Sequence, residues 1–247
     1  MRNADGSLAG AFQNGSAVTV EPILDADFTW TTPEGVMLSR SSVLALMPKP
    51  AILNAGSYTL EAHRYGTSLA VVQRHAGKTH ALNVWVKRPE RWKLLHTAEV
   101  IEGERVVYGG TMIGTASCIN PCKVVPFVPG TPAERAVMEA WQAQQSGPEL
   151  WARHVPDDNV ARTSNGTYTK SERVAVQRLQ VQSGTTVTPS PLLWARIWEF
   201  GDSALMLALQ PRAVGKPFLG SRVFELRDGI WVMAEAYQIT IQDVPPF

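Results

Sequence analysis

The stretch VWVKRPERWKLL at 84–95 is written a second time as VFELRDGIWVMA at 223–234, with Val84, Arg88 and Trp92 matching Val223, Arg227 and Trp231 at one offset of 139. The correspondence continues upstream. YGTSLAVV (65–72) lies against FGDSALML (200–207) at an offset of 135, AGK (76–78) against VGK (214–216) at 138, and DFTWTTPEG (27–35) against DNVARTSNG (158–166) at 131. An offset that drifts only from 131 to 139 is what small loop insertions produce in a supersecondary unit used twice. A chain of 247 residues is also near the size at which one hydrophobic core gives way to two. The duplication therefore predicts two domains of one fold, over 1–101 and 131–247, joined by 102–130.

The periods inside each copy name the elements. SLAGAF and VTVEPILDAD read as helical before the first aligned Asp of copy one. TPAERAVMEAWQAQ does so in copy two, with Thr131 as N-cap and Pro132 in the first turn. Two short β-like runs then surround a turn, Glu34-Gly35 in one copy and the stronger hairpin dipeptide Asn165-Gly166 in the other. SRSSVLALM and KSERVAVQRL read as a helix after that hairpin. Alternating runs close each copy, at 57–64, 68–75, 80–87 and 92–100, and at 192–199, 203–210, 219–226 and 231–241. Their connections hold Gly, Pro, Asp or Lys, as antiparallel hairpins require. Helices followed by a meander of strands is an α+β pattern. The joining segment carries Gly109-Gly110, Pro121, Pro126, Pro129 and Gly130, suited to an extended connector, with RVVYGGTMIG the piece expected to add a strand.

Composition narrows the partners. A formal net charge of +1 supplies no field for nucleic acid or anionic lipid, and no apolar run is long enough to cross a bilayer. MRNADGSLAG lacks the apolar block of a secretory leader. The chain therefore reads as cytoplasmic, or as secreted or periplasmic if a leader has been removed. Cys118 and Cys122 in CINPC are either one local disulfide or two unpaired thiols, and zinc would need two further ligands. His63, His75, His80 and His96 lack metal-site spacing and read as exposed strand residues. No Gly-rich phosphate loop or nucleophile elbow is present, so no cofactor or metal is expected. The NGS and NGT triplets at 14–16 and 165–167 read as turns rather than glycosylation sites.

The order helix, DFTW strand, TWTTPEG turn, helix, then a meander ending VWVKRPERWKLLHTAEV resembles a nuclear-transport-factor-2-like domain. Within that superfamily it is most similar to bacterial SnoaL-like and ketosteroid-isomerase-like domains of unassigned function. Copy two, ending VFELRDGIWVMAEAYQITI, is similar to the same pattern, so the likeness covers about 1–101 and 131–247. The resemblance implies a cystatin-like cone: a strongly curved antiparallel sheet wrapped around N-terminal helices, with a pocket at the open end. It also implies pairing of such domains through their sheets. A tandem chain can do this internally as a pseudo-dimer, at an effective concentration around the millimolar range, and two chains can do it as a homodimer. In ketosteroid isomerases the catalytic aspartate directly precedes the proline of the early turn. Here Thr32 precedes Pro33, and Thr163 holds the equivalent place in copy two. A threonine hydroxyl has no accessible pKa near neutrality with which to take a carbon-bound proton. Both copies therefore lack the isomerase base.

Strand parity places the other polar residues. Thr59, Glu61 and His63 share one face of SYTLEAHR, and their counterparts in LLWARIWE are Trp194, Arg196 and Trp198. Glu61 and His63 are the catalytic candidates, as an orienting carboxylate and a base, against a solvated sheet face or an ion pair between the copies. Arg196 between two indoles reads either as an anion-binding face with apolar walls or as a sheet-to-sheet interface. Trp92 and Trp231 open the last strands, followed by His96 in one copy and by Glu235 and Tyr237 in the other. Interior Glu235 and Tyr237 would take Arg222 or Arg212 as partners. Trp30, Trp85, His96, Arg162, Trp194, Arg196, Trp198, Glu235 and Tyr237 are the residues expected at the ligand. The expected function is binding of a small apolar or carboxylated molecule in the cone-shaped pockets, with no catalysis identified. The alternatives are a lyase, isomerase or hydrolase using Glu61 and His63, and a structural or protein-interaction module whose pockets are filled by side chains.

Overall fold

The computed structural model describes residues 2–103, 128–145, 147–184, 192–210 and 216–241; RVVYGGTMIG, Cys118, Cys122 and Arg212 lie outside the described residues. The chain divides into one unit over Met1–Gly103 and a second over Glu104–Thr240.

The first unit opens with helices α1 (Arg2–Gln13) and α2 (Ala17–Val20), then strands β1 (Leu24–Thr31) and β2 (Met37–Ser39). Helices α3 (Arg40–Leu46) and α4 (Ala51–Asn54) follow, and β3 (Thr59–Tyr65), β4 (Leu69–Ala76), β5 (Thr79–Lys87) and β6 (Trp92–Ile101) complete it. The second unit has helices α5 (Pro132–Gln145) and α6 (Pro148–Arg153), strands β7 (Val160–Thr163) and β8 (Gly166–Thr169), and helix α7 (Lys170–Gln182). It closes with β9 (Trp194–Glu199), β10 (Ser203–Gln210), β11 (Phe218–Arg227) and β12 (Ile230–Thr240). The two six-stranded sheets run β2-β1-β6-β5-β4-β3 and β8-β7-β12-β11-β10-β9, the same order. Every pair is antiparallel except β1 with β6 and β7 with β12, which the sequence periods do not show. One α+β architecture, helices ahead of a six-stranded sheet of a single strand order, is thus present twice.

Local chemistry sets the boundaries. Thr131 Oγ1 accepts the Glu134 N–H at 3.1 Å ahead of Pro132, and Ser39 Oγ accepts the Ser42 N–H at 3.2 Å. Thr169 and Glu172 close a reciprocal capping box at the start of α7. VTVEPILDAD is helical only to Val20: Pro22 has no N–H to continue the ladder, and the strand begins at Leu24. The eight long strands end within two residues of their expected bounds.

Sheet register refines the repeat. Leu69 faces Val86 and Ser203 faces Glu225, so β4 and β10 correspond at an offset of 134, while β5 and β11 correspond at 139. The value is one below the alignment of YGTSLAVV with FGDSALML because the turn in copy two is shorter. Five residues separate Arg64 from its partner Ala70, and four separate Glu199 from Ala204. The next hairpin holds two residues between Ala76 and Thr79 but seven between Gln210 and Phe218, which supplies the jump to 139. Both last strands bulge at matching positions. Val84 faces His96 but Trp85 faces Leu94, skipping Leu95; Val223 faces Glu235 but Phe224 faces Met233, skipping Ala234.

One face of each sheet packs on its helices. In the first unit Leu8 and Phe12 of α1 and Val43 of α3 meet Phe28, Trp30, Val72, Trp85 and Leu94. In the second, Val137 and Trp141 of α5, Trp151 of α6 and Val174 of α7 meet Ala161, Met206, Phe224 and Met233. Each fully buried large side chain contributes roughly 1.5–3 kcal/mol relative to leaving it exposed. Among the described residues, no helix is long and apolar enough to cross a membrane.

Candidate functional site

The bulge decides which side chains meet the helices. Ahead of it Trp92 and Leu94 point toward the core; past it the alternation is displaced by one, so Thr97 and Glu99 point there and His96 does not. Thr97 lies between Asn83 and Trp30 across the sheet, and Glu99 lies in a row with Ala81 and Arg74. These residues floor a cleft roofed by Leu8, Ala9 and Phe12 of α1 and by Pro50, Ile52 and Leu53 at α4. It encloses about 320 Å³ of space between atoms, part of it open to solvent and little of it wide enough for a water molecule. Trp30 stands edge-on to Phe12, with ring centroids 5.6 Å apart.

Two acids reach this interior. Asp5, carried in by α1, is fully buried; it pairs with Arg74 and accepts the Asn83 Nδ2–H at 3.0 Å. Asn83 Oδ1 in turn accepts the Thr97 hydroxyl at 3.0 Å. Burial pushes the Asp5 carboxyl up, opposed chiefly by the Arg74 charge. Glu99 is different. Its Oε1 accepts the Ile52 N–H at 3.0 Å, while buried Oε2 has no partner among the described residues. Burial raises its pKa to about 7, against the pull of the Ile52 and Ala51 N–H groups. The Trp30 indole N–H lies near enough to favour the charged form without closing a hydrogen bond. A carboxyl that titrates near neutrality beneath the apolar roof of such a cleft can accept or donate a hydrogen bond, or move a proton.

Of the expected ligand residues, Trp30 lines the cleft and Trp85 is buried in the core beneath it. His96 sits on the opposite sheet face, its Nδ1 2.9 Å from Thr29 Oγ1, and burial lowers its pKa to about 3. Glu235 and Tyr237 take the corresponding outward positions in the second unit, because the same bulge displaces them from the face of Trp231 and Met233. Arg162 shares their face, paired in register with Tyr237. Trp194, Arg196 and Trp198 also alternate outward, since Ala195 and Ile197 face the core. Arg196 does stack on Trp198, at 4.3 Å from guanidinium carbon to ring centre. Arg222 does not partner Glu235 or Tyr237: it points to the helix side and bonds to Gln210. Glu61 and His63 meet at 3.9 Å, both about half exposed, on the face away from the cleft.

The histidines depart from the exposed reading except at His63. His80 is buried and joins His75 (Nδ1 to Nδ1, 3.0 Å) to Glu102 (Nε2 to Oε1, 2.8 Å). Among the described residues, no group of three or more His, Cys, Asp or Glu side chains is placed to hold a metal ion. Sequence reasoning missed Asp5, Arg74, Asn83 and Glu99. For Asn83 and Glu99 the available signal was a polar residue inside an otherwise apolar run, as in ALNVWV and AEVI.

The sequence matches no protein-family model and no curated relative. Solved structures similar to it include a nuclear-transport-factor-2-like protein from Cytophaga hutchinsonii, 17% identical over 40% of this chain and 93% of that one, with a TM-score of 0.30. Another is a cystatin-fold protein of unknown function from Nostoc punctiforme, 14% identical over 47% and 98%, with a TM-score of 0.36. A third is a nuclear-transport-factor-2-like protein with a cystatin-like fold from Novosphingobium aromaticivorans, 12% identical over 44% and 80%, with a TM-score of 0.32.

Proposed function

We propose that the first unit binds a small, largely apolar molecule carrying one hydrogen-bonding group, with that group on Glu99. The supporting observation is a carboxyl with one buried, unpartnered oxygen at the floor of a cleft walled by Leu8, Phe12, Trp30, Ile52 and Leu53. Apolar walls with a few convergent polar groups are the usual make-up of a small-molecule site. A neutral ligand fits better than a carboxylated one, because Arg74 is already committed to Asp5. The test is a thermal-shift screen of small neutral aromatic alcohols, ketones and amides against wild type, Glu99→Ala and His63→Ala. Stabilisation of wild type and His63→Ala that is lost in Glu99→Ala supports the reading. No stabilisation by any compound, or equal stabilisation of Glu99→Ala, removes it.

A second reading rests on the Glu99 pKa of about 7. A general acid or base works best when it titrates near the operating pH, so a bound substrate could exchange a proton with Glu99. On this reading the candidate chemistry is at Glu99 rather than at the exposed Glu61–His63 pair. Glu99→Gln that keeps ligand affinity but abolishes turnover would separate catalysis from binding alone.

A further inference from the structure

Arg222 of β11 is 1% exposed and projects toward the helix side of its sheet. Its Nη2 donates to Gln210 Oε1 at 2.5 Å, and its buried Nη1 has no partner among the described residues. The guanidinium lies directly on Gly220, where an added Cβ would stand 2.2 Å from Nη1; the side chain occupies space that any larger residue would claim. Ala208 and Gln238 flank Gly220 on the neighbouring strands. Half-buried Arg173 of α7 lies over the Trp151 ring at 5.3 Å and is close enough to oppose the Arg222 charge. Burial, reinforced by Arg173, lowers the Arg222 pKa to about 9, which still leaves it cationic at neutral pH. Among the described residues, no carboxylate pairs with either arginine.

A buried guanidinium without a counter-ion is costly unless something supplies the charge. In the first unit Asp5 supplies it to Arg74. We infer that in the second unit an external ligand does so: a small molecule bearing one carboxylate, held by Arg222 Nη1 and reached past Arg173. A guanidinium presents its N–H groups in the planar fork that a carboxylate matches. The surroundings favour a monocarboxylate with an apolar body over phosphate, because Met206 lies beside Arg222 in register and the Trp151 ring lies under Arg173. This site is separate from the Glu99 cleft and stands if that reading fails.

The experiment titrates benzoate, benzamide and inorganic phosphate into wild type, Arg222→Met and Arg173→Gln, reading calorimetry and thermal shift. Expected is saturable benzoate binding with none by benzamide. Arg222→Met should weaken binding about tenfold or more, and Arg173→Gln should weaken it by about threefold. Should Arg222→Met fail to fold, the loss in Arg173→Gln decides. Benzamide binding as well as benzoate, equal benzoate affinity in all three proteins, phosphate binding without benzoate, or no binding by any probe would each overturn the inference.

Discussion

Arg74 and Arg222 are both buried on the helix-covered face of their sheets, yet one is paired with an acid from its own first helix and the other meets no acid among the described residues. Matching positions tell the same story. Asn83, Thr97 and Glu99 correspond at the offset of 139 to Arg222, Ala236 and Gln238, and Arg74 corresponds at 134 to Ala208. The scaffold was copied but the charge inside it was not. In the first unit Asp5 neutralises Arg74, and the Glu99 carboxyl keeps one oxygen unpartnered among the described residues. In the second the imbalance itself is the feature.

Removing Asp5 and removing Arg222 should therefore act in opposite directions. Asp5→Ala strands a buried guanidinium and is expected to lose about 3–5 kcal/mol in denaturant unfolding, whereas Arg222→Met should be neutral or gain up to about 4 kcal/mol. Equal losses would break the contrast. Glu99→Gln writes into the first unit the residue that the second carries at 238. On folding, burial lifts the Glu99 pKa from 4.5 to about 7, so the native state holds the extra proton between those values. Wild type should lose roughly 3 kcal/mol as pH rises through that window; the glutamine variant should lack this slope in unfolding measured from pH 4 to 8. The smallest effect concerns the arginine that the repeat shares. Arg88 donates to both oxygens of buried Asp25, at 2.7 and 3.1 Å, while Arg227 donates to its near neighbour Glu225, which is largely buried but two residues away on the same strand. Arg88→Ala should cost about 1–2 kcal/mol, discounted for the partial exposure of Arg88, and Arg227→Ala under about 1 kcal/mol.

Much of the fold was legible because repetition and alternation are properties of the sequence itself. The helix caps at Thr131 and the later strand bounds followed from residue types that act on their immediate neighbours. The β1–β6 parallel pair did not, because partners some seventy residues apart leave no local trace. The candidate site was legible only in part. Parity grouped Thr59, Glu61 and His63 correctly, and likewise Trp194, Arg196 and Trp198, but it cannot say which face meets the helices. Asp5 looked like an ordinary polar helix residue, since nothing nearby in sequence announces its pairing with Arg74.

The skipped residue in each final strand has a consequence for ancestry and for engineering. Because Leu95 and Ala234 occupy equivalent places, the simplest history has the irregularity present before the gene segment was doubled. Every later exchange at positions 97 and 99, or 236 and 238, then inherited an inward aim from that one extra amino acid. Excising Leu95 alone would restore a plain two-residue rhythm with Thr97 and Glu99 still inward, whereas the same residues in unbroken alternation, Leu95 included, would aim His96, Ala98 and Val100 inward instead. The chemistry of the interior thus depends on a count of residues as much as on their kinds.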